Sequence, residues 1–552
     1  MFIRDKHRGK RTYLQLVENQ RVNGQVRQRV LHNLGRLDLL LESGQLDALI
    51  ASLGRFSKKL AAQSALAKGE VRAQNFRRWG AVLIFERLWQ QVGLDRVLAD
   101  LLRERHFGFA VERVLFVTAL QRLLAPGSDR QAERWLEDYR IAGAEELELQ
   151  HFYRAMAWLG EPLPDEAQDG ATPFAPRCTK DLIEEALFVR RRDLYTQLDL
   201  VFFDTTSIYF EGAGGASLGQ YGHPKDHRPD LKQLVVGVVL DNAGNPVCAE
   251  LWPGNTADVT TLLPIAERLR RRFQIGRICL VADRGMISAA TMQELLARGW
   301  DYILGVRMRV CKEAREEVLG RAGRYHEVTG QRQHSKDPAP LKVKEVRVEE
   351  RRYVVCLNEE EARKDAHDRE AILQSLREAL KQGDKALVGN KGYRRYLKNP
   401  DEHFSIDEEK VMAEARYDGK WVLTTNTALC AEEVALRYKQ LWTVEDIFRS
   451  MKTLLETRPV YHKCDETIRG HVWCSYLALL LRKELQDRLA AVQPAGQAPL
   501  EWADIIRELE AVGEMEVLVD GQRYWLRTTA RPAAAKVFAA CHVALPPSIR
   551  KG

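Results

Sequence analysis

The stretch Leu200-Val-Phe-Phe-Asp-Thr-Thr-Ser207 decides how the chain is read. An unbroken apolar run that ends on an acid describes a strand buried on both faces. Such a strand delivers Asp204 at its end, where the rigid sheet fixes the carboxylate and the following loop opens the site. A second stretch repeats the device, since Ile278-Cys-Leu-Val-Ala-Asp-Arg-Gly285 ends its apolar run on Asp283. A third acid, Glu445, lies in Tyr438-Lys-Gln-Leu-Trp-Thr-Val-Glu-Asp-Ile-Phe-Arg-Ser-Met-Lys452, where Trp442, Val444, Ile447, Phe448 and Met451 read as the buried side of a helix. Two strand-end carboxylates plus one helix carboxylate suit a phosphoryl-transfer site for divalent cations, because Mg²⁺ takes hard oxygen ligands. One strand-end aspartate alone more often caps a loop; the three contexts together point to chemistry.

The bulk numbers set the frame. A chain of 552 residues with 45% hydrophobic content predicts several domains with proper cores. The net charge of +7 fits an anionic partner without demanding one, but residues 1–34 carry eight Lys/Arg against two Asp/Glu. Nine cysteines stand as singletons without a CxxC pair, which predicts a reduced protein with no disulfide framework or zinc cluster. No apolar run reaches the roughly 18 residues of a membrane span, and the charged N-terminus lacks the apolar core of a signal peptide. The expectation is a soluble, intracellular protein with no membrane partner.

Outward from the acids, the pattern predicts an α+β, mixed α/β architecture. Residues 1–40 read as a small basic β-hairpin arm around Asn23-Gly24, a strong turn signal between alternating runs. Residues 41–175 read as a helical region suited to DNA binding, with apolar periodicity at Ala81–Leu102, Val111–Leu124 and Asp129–Tyr139 and four prolines between Gly160 and Arg177. Either element also reads plainly as scaffold. Residues 176–306 hold the strands of Asp204 and Asp283, with further strands at Leu231–Leu240, Cys248–Trp252 and 301–306. Residues 307–428 resemble an insertion, with strand-like Val343–Asn358, a charged helix Glu359–Gly383 and a strand Lys420–Thr425. Residues 429–490 return to helices around Glu445, and 491–552 contain a hairpin around Asp520-Gly521.

The Glu445 segment carries its own geometry if it is one helix. Tyr438, Glu445 and Lys452 are seven apart and share a face, with Arg449 one turn beyond Glu445 on the same side. An acid flanked by a phenol and cations suits a metal ligand whose neighbours grip DNA phosphates; a solvated Glu445–Arg449 ion pair is the plain alternative. Lys225, His227, Arg228 and Lys232 add four potential cations in eight residues, read as backbone contacts or a solvated loop. Trp252 reads as a core residue. His462 and His471 are poor ligands for a hard cation.

These motifs carry a resemblance. Asp204-Thr-Thr, Ala282-Asp-Arg-Gly285 and Tyr438-x6-Glu445-x6-Lys452 resemble the DDE transposases of the IS4-like superfamily. Lys225-Asp-His-Arg-Pro-Asp-Leu-Lys-Gln233, Pro253-Gly-Asn-Thr256, Arg458-Pro-Val-Tyr-His462 and Ile468-Arg-Gly-His471 are similar to its IS1634 group. The resemblance implies an RNase H-like core in which Asp204, Asp283 and Glu445 bind two Mg²⁺ (or Mn²⁺) ions. It implies cleavage at the terminal inverted repeats of an insertion sequence and strand transfer into target DNA, by a homodimer holding paired ends of double-stranded DNA in the bacterial cytoplasm. Tyr438 and Lys452 then contact phosphates, with Lys225, Arg228 and Lys232 as further DNA contacts. The family pattern places Arg three residues after the Tyr; here that position is Leu441, and Arg449 is expected to substitute. The alternatives are an RNase H-like nuclease without strand transfer and an inactive relative that only binds DNA.

Overall fold

The computed structural model describes residues 1–22, 25–54, 71–169, 171–172, 175–191, 200–275, 278–328, 341–381, 396–398, 404–494, 496–519 and 522–551. They form two compact units, Phe85–Trp135 with Ala142–Asp487, and Met1–Ile84 with Leu136–Ile141 and Arg488–Gly552.

The larger unit is built on a nine-stranded mixed sheet. Across it run His326–Val328, Leu341–Val348, Arg351–Asn358, Lys420–Thr425, Asp301–Val306, Cys279–Ala282, Leu200–Tyr209, Gln233–Leu240 and Pro246–Pro253. The β-branched run Gln233–Leu240 is buried at every residue, as a central strand demands. The Asp204 strand pairs antiparallel with Gln233–Leu240 and parallel with Cys279–Ala282, which in turn pairs parallel with Asp301–Val306. One face is covered by helix Leu262–Phe273, whose Leu262, Ile265, Leu269 and Phe273 join Val201, Phe203, Val235 and Leu280 in one core cluster. Helix Leu441–Arg449 also packs on the Asp204 strand. Its buried side chains are not part of that cluster, which leaves it the opposite face, the one Phe202 and Asp204 share by strand alternation.

Behind the first face lies a buried ion network. Arg272 reaches Asp181, Glu184, Glu185 and Glu250, Arg268 reaches Asp181 and Glu250, and Lys180 lies 2.6 Å from Asp181. It ties helix Thr179–Arg191 to helix Leu262–Phe273 and strand Pro246–Pro253. Burial pushes the Asp181 carboxyl up, but Arg272, Lys180 and Arg268 outweigh it and hold the group well below its ordinary range. Such pairs are sustained only by near-complete mutual satisfaction.

The smaller unit has two sheets. Phe2–Arg8, Arg11–Val22 and Gln25–Arg36 form three antiparallel strands, followed by short helices Leu37–Glu42 and Gln45–Gly54. Ile549–Lys551, Gln522–Arg527, Gly513–Val519 and Val71–Arg78 form a four-stranded sheet, flanked by helices Trp502–Glu510 and Pro532–Ala540. Here the structure differs from the sequence expectation twice. A third strand, Phe2–Arg8, joins the N-terminal hairpin; it has no buried face and so lacks the alternation that would have marked it. Val71–Arg78, in the stretch read as helical, is a strand paired with Gly513–Val519. The Asn23-Gly24 and Asp520-Gly521 turns lie outside the described residues, though the strands on either side pair at Val22↔Gln25 and Val519↔Gln522.

Other differences are local. Val343–Asn358 is a hairpin, Leu341–Val348 with Arg351–Asn358, turning at Glu349 with φ 51°. These strands and Lys420–Thr425 extend the same sheet as the Asp204 strand, since Lys420–Thr425 pairs with Asp301–Val306. The helical pattern at Ala81–Leu102 breaks into Gly80–Val92 and Leu94–Leu102 at Gly93, whose φ of 89° a helix cannot hold.

Candidate active site

Asp204 and Asp283 come together as the parallel pairing dictates. The register Phe203↔Ala282 is the last rung between the two strands, so the next residues, Asp204 and Asp283, stand side by side where the ladder opens. The apolar run before Asp204 does not end its strand, however: the strand continues to Tyr209, paired with Gln233–Leu240 at Asp204↔Val238. Only its bonding to the Asp283 strand ends there. Both aspartates are partly buried.

A third acid unused by the sequence argument joins them. Asp258, in the Pro253-Gly-Asn-Thr-Ala-Asp turn, accepts from the Thr205 hydroxyl at 2.7 Å. Lys225 lies between: its Nζ donates to the Thr205 carbonyl (2.6 Å) and Oγ1 (3.1 Å) and sits 3.1 Å from Asp258. Burial pushes the Asp204 carboxyl up to about 6, with Asp283 and Asp258 adding to the rise against Lys225 and the Thr205 amide. That amide donates to Asp204 Oδ1 at 2.7 Å. The site thus holds more negative charge than its own cation neutralises, on hard oxygen donors, which fits a divalent cation. The signal for Asp258 was an acid just beyond the Pro253-Gly254 turn after a buried strand; unlike Asp204 it does not directly follow an apolar run.

Tyr438 donates its hydroxyl to Asp283 Oδ1 at 2.7 Å. Burial and then Asp283 push this phenol well above its usual value, so it stays a donor. Gly305 makes the approach possible, because a side-chain carbon there would collide with the Tyr438 hydroxyl. The Glu445 segment is not one helix. Tyr438 lies in the last turn of helix Ala431–Lys439, Glu445 sits in helix Leu441–Arg449, and Lys452 lies in a wider π-type turn, Ser450–Leu454. The seven-residue spacing therefore does not place the three on one straight face. Glu445 is exposed on its helix and is not among the principal charges acting on Asp204.

The cations separate as well. Lys452 lies 2.8 Å from Asp226, which is also 2.5 Å from Arg458. Arg449 is 62% exposed and only 3.4 Å from Asp446, while Leu441 is buried at the start of its helix. Arg228 pairs with Asp230 and lies over the Tyr209 ring, and Lys232 donates to the Ala213 carbonyl at 3.1 Å. Trp252 is a core residue, edge-on to Phe203. His462 and His471 lie with Asp129, the group of three ligand-type side chains found among the described residues. His471 Nδ1 already faces Arg122 at 3.0 Å and His462 at 3.1 Å, and its Nε2 faces the Thr457 carbonyl at 3.1 Å. The guanidinium stands where a cation would bind, so the cluster reads as a closed hydrogen-bond chain.

Comparison with known proteins adds the family. A model described as "Transposase DDE domain" matches residues 195–481, just over half of the chain, and one for the N-terminal domain of IS1634 family transposases matches residues 3–65. No curated protein matches the chain. Among solved structures it is similar to a piggyBac transposase synaptic complex with hairpin DNA, at 10% identity, TM-score 0.35, 80% of this chain and 82% of that one. It is also similar to a Mos1 transposase paired-end complex with the left transposon end, at 15% identity, TM-score 0.14, 36% of this chain and 61% of that one. A Mos1 mariner paired-end complex with Mn gives 15% identity, TM-score 0.14, and 40% and 76% coverage. The match over residues 195–481 spans Asp204, Asp283 and Glu445, and with the N-terminal match it places the chain in the DDE transposases of the IS1634 family.

Proposed function

We propose that the protein binds the terminal inverted repeats of its insertion sequence, cleaves there, and joins the freed 3′ ends to target DNA. The observation that carries this is the pairing of Asp204 and Asp283 at the end of a shared parallel ladder, with an excess of negative charge on hard oxygens. The sheet supports an RNase H-like core: three antiparallel strands in chain order, then two parallel strands on the other side of the Asp204 strand. Asp204, Asp283 and Glu445 would hold the divalent ions, Mg²⁺ or Mn²⁺. When bound, such ions activate the attacking water or 3′-hydroxyl and stabilise the leaving oxygen.

The chain's own residues orient and neutralise. Tyr438 fixes the Asp283 carboxylate by its hydrogen bond. Lys225, clamped by Thr205 and Asp258, offsets the acid charge before any cation enters. Glu445, exposed on a helix that packs on the Asp204 strand, would be the third ligand. The basic N-terminal sheet and Arg228 and Lys232 contact the DNA backbone, which positions the duplex without reading its sequence. Paired ends require two copies of the chain, and the reaction belongs to the bacterial cytoplasm. Incubating labelled duplex carrying the element's ends with the protein tests this. Nicked and joined products with Mg²⁺, and none with a chelator, are the expected result. Metal-dependent nicks without joined products would favour a nuclease instead.

A further inference from the structure

Asp226 is held in an unusual way. Its side chain is 8% exposed, and one oxygen, Oδ1, takes both Lys452 Nζ at 2.8 Å and Arg458 Nη1 at 2.5 Å. The other oxygen, Oδ2, is buried with no hydrogen-bond partner among the described residues. A buried carboxylate oxygen without a partner is costly, so this contact is not the one that satisfies Asp226 best. The backbone around the two cations is placed by other parts of the fold. Lys452 sits in the π-type turn, and Arg458 lies two residues before Val460, whose amide donates to the Tyr209 carbonyl at 3.1 Å. Arg458 also lies over the Tyr209 ring, 5.7 Å from its centroid. Two cations thus share one carboxylate oxygen, and burial, the largest influence, lowers the Lys452 ammonium even with Asp226 beside it.

We propose that Lys452 and Arg458 form one binding site for a DNA backbone phosphate, and that Asp226 is its resident counter-ion, which leaves when the phosphate arrives. A phosphate offers more oxygens than the single Oδ1 now shared, and a guanidinium–ammonium pair suits it. Asp226 lies next to Lys225, the cation of the acid site, and its segment is tied down by the Lys225 amide donating to Ser207 at 2.9 Å.

This inference rests on the reading of the chain as acting on DNA, so the test separates the two. Binding of a fluorescent duplex is titrated in chelator over a range of salt concentrations. The wild type is compared with Asp226→Asn, Arg458→Gln and Arg458→Lys, and thermal unfolding checks that each is folded. Asp226→Asn is expected to bind roughly threefold to tenfold tighter, because the phosphate no longer has to displace a carboxylate from two charge-assisted bonds. Arg458→Gln is expected to bind about tenfold more weakly, with the slope of log affinity against log salt shallower by about 0.9, one phosphate contact. Arg458→Lys, which keeps the charge, should restore the slope; should Asp226→Asn fail to fold, the Arg458 pair decides. A wild type that binds and cleaves while Arg458→Gln keeps its affinity and slope, or while folded Asp226→Asn binds no tighter, overturns the inference alone. A wild type that neither binds duplex nor cleaves with Mg²⁺ overturns the functional reading and this site with it.

Discussion

At the scale of single residues, the site depends on orienting groups as much as on its acids. Removing the Tyr438 hydroxyl leaves Asp283 free to turn, and loss of an outer partner of this kind weakens metal binding about tenfold or more. Tyr438→Phe is therefore expected to raise the Mg²⁺ concentration needed for half-maximal cleavage by about that factor, and an unchanged metal titration would remove Tyr438 from this role. The same residue shows what the sequence could not reveal. Its partner Asp283 is 155 positions away, and Gly305, which makes room for the hydroxyl, gives no signal of its own in a strand. Asp204 and Asp283 were legible because buried runs announce strands; Asp258 and Arg458 were not, because their roles come from turns that only the folded chain brings together. His471 supplies a pH test. Burial, with Arg122 and His462 beside it, holds its imidazole well below the usual 6.5, so the folded protein keeps it neutral while the unfolded chain takes up a proton. Its contribution is full above about 6.5 and is lost as pH falls below it, by at most about 1.4 kcal/mol per pH unit. Asp129, held below 3.8 by His462 against the upward push of burial, adds a loss only in more acidic solution. Thermal unfolding followed against pH should show the midpoint falling below about 6.5, and His471→Asn should flatten that part of the curve.

At the scale of elements, a buried ion network joins helix Thr179–Arg191 to helix Leu262–Phe273 and strand Pro246–Pro253. Arg272 faces Asp181, Glu184 and Glu250, all essentially without solvent. Replacing it by Met leaves Arg268 and Lys180 as the buried cations against these three carboxylates, and a loss of about 3–5 kcal/mol is expected in chemical denaturation. A loss below about 1 kcal/mol would mean that water or a neighbour screens them. The strands of the sheet were readable from their apolar runs, most clearly Gln233–Leu240. The Glu445 region was not, because its seven-residue spacing matches one continuous helix as well as it matches Ala431–Lys439, Leu441–Arg449 and a π-type turn. Strand Phe2–Arg8, exposed almost throughout, has no pattern to read.

At the scale of the whole molecule, the smaller unit gathers its sheet from both ends of the chain. Gly513–Val519 is the partner of Val71–Arg78, so a chain ending at Asp487 leaves that strand without its ladder. Limited proteolysis should then cut within residues 71–78 of the truncated chain while the full chain resists there. Such pairing is invisible to local pattern, which is why the stretch read as helical. For the larger unit, we propose that the paired aspartates and Glu445 carry out metal-dependent phosphoryl transfer on DNA. Cleavage of end-bearing duplex by Asp204→Asn, Asp283→Asn and Glu445→Gln in Mg²⁺, beside Asp258→Asn, tests it most directly. Each of the first three should lose at least about a thousandfold in rate, as expected when a group that stabilises the transition state is removed, while still binding the duplex; Asp258→Asn should keep a measurable rate. Metal-dependent cleavage that persists in Asp204→Asn would contradict the account.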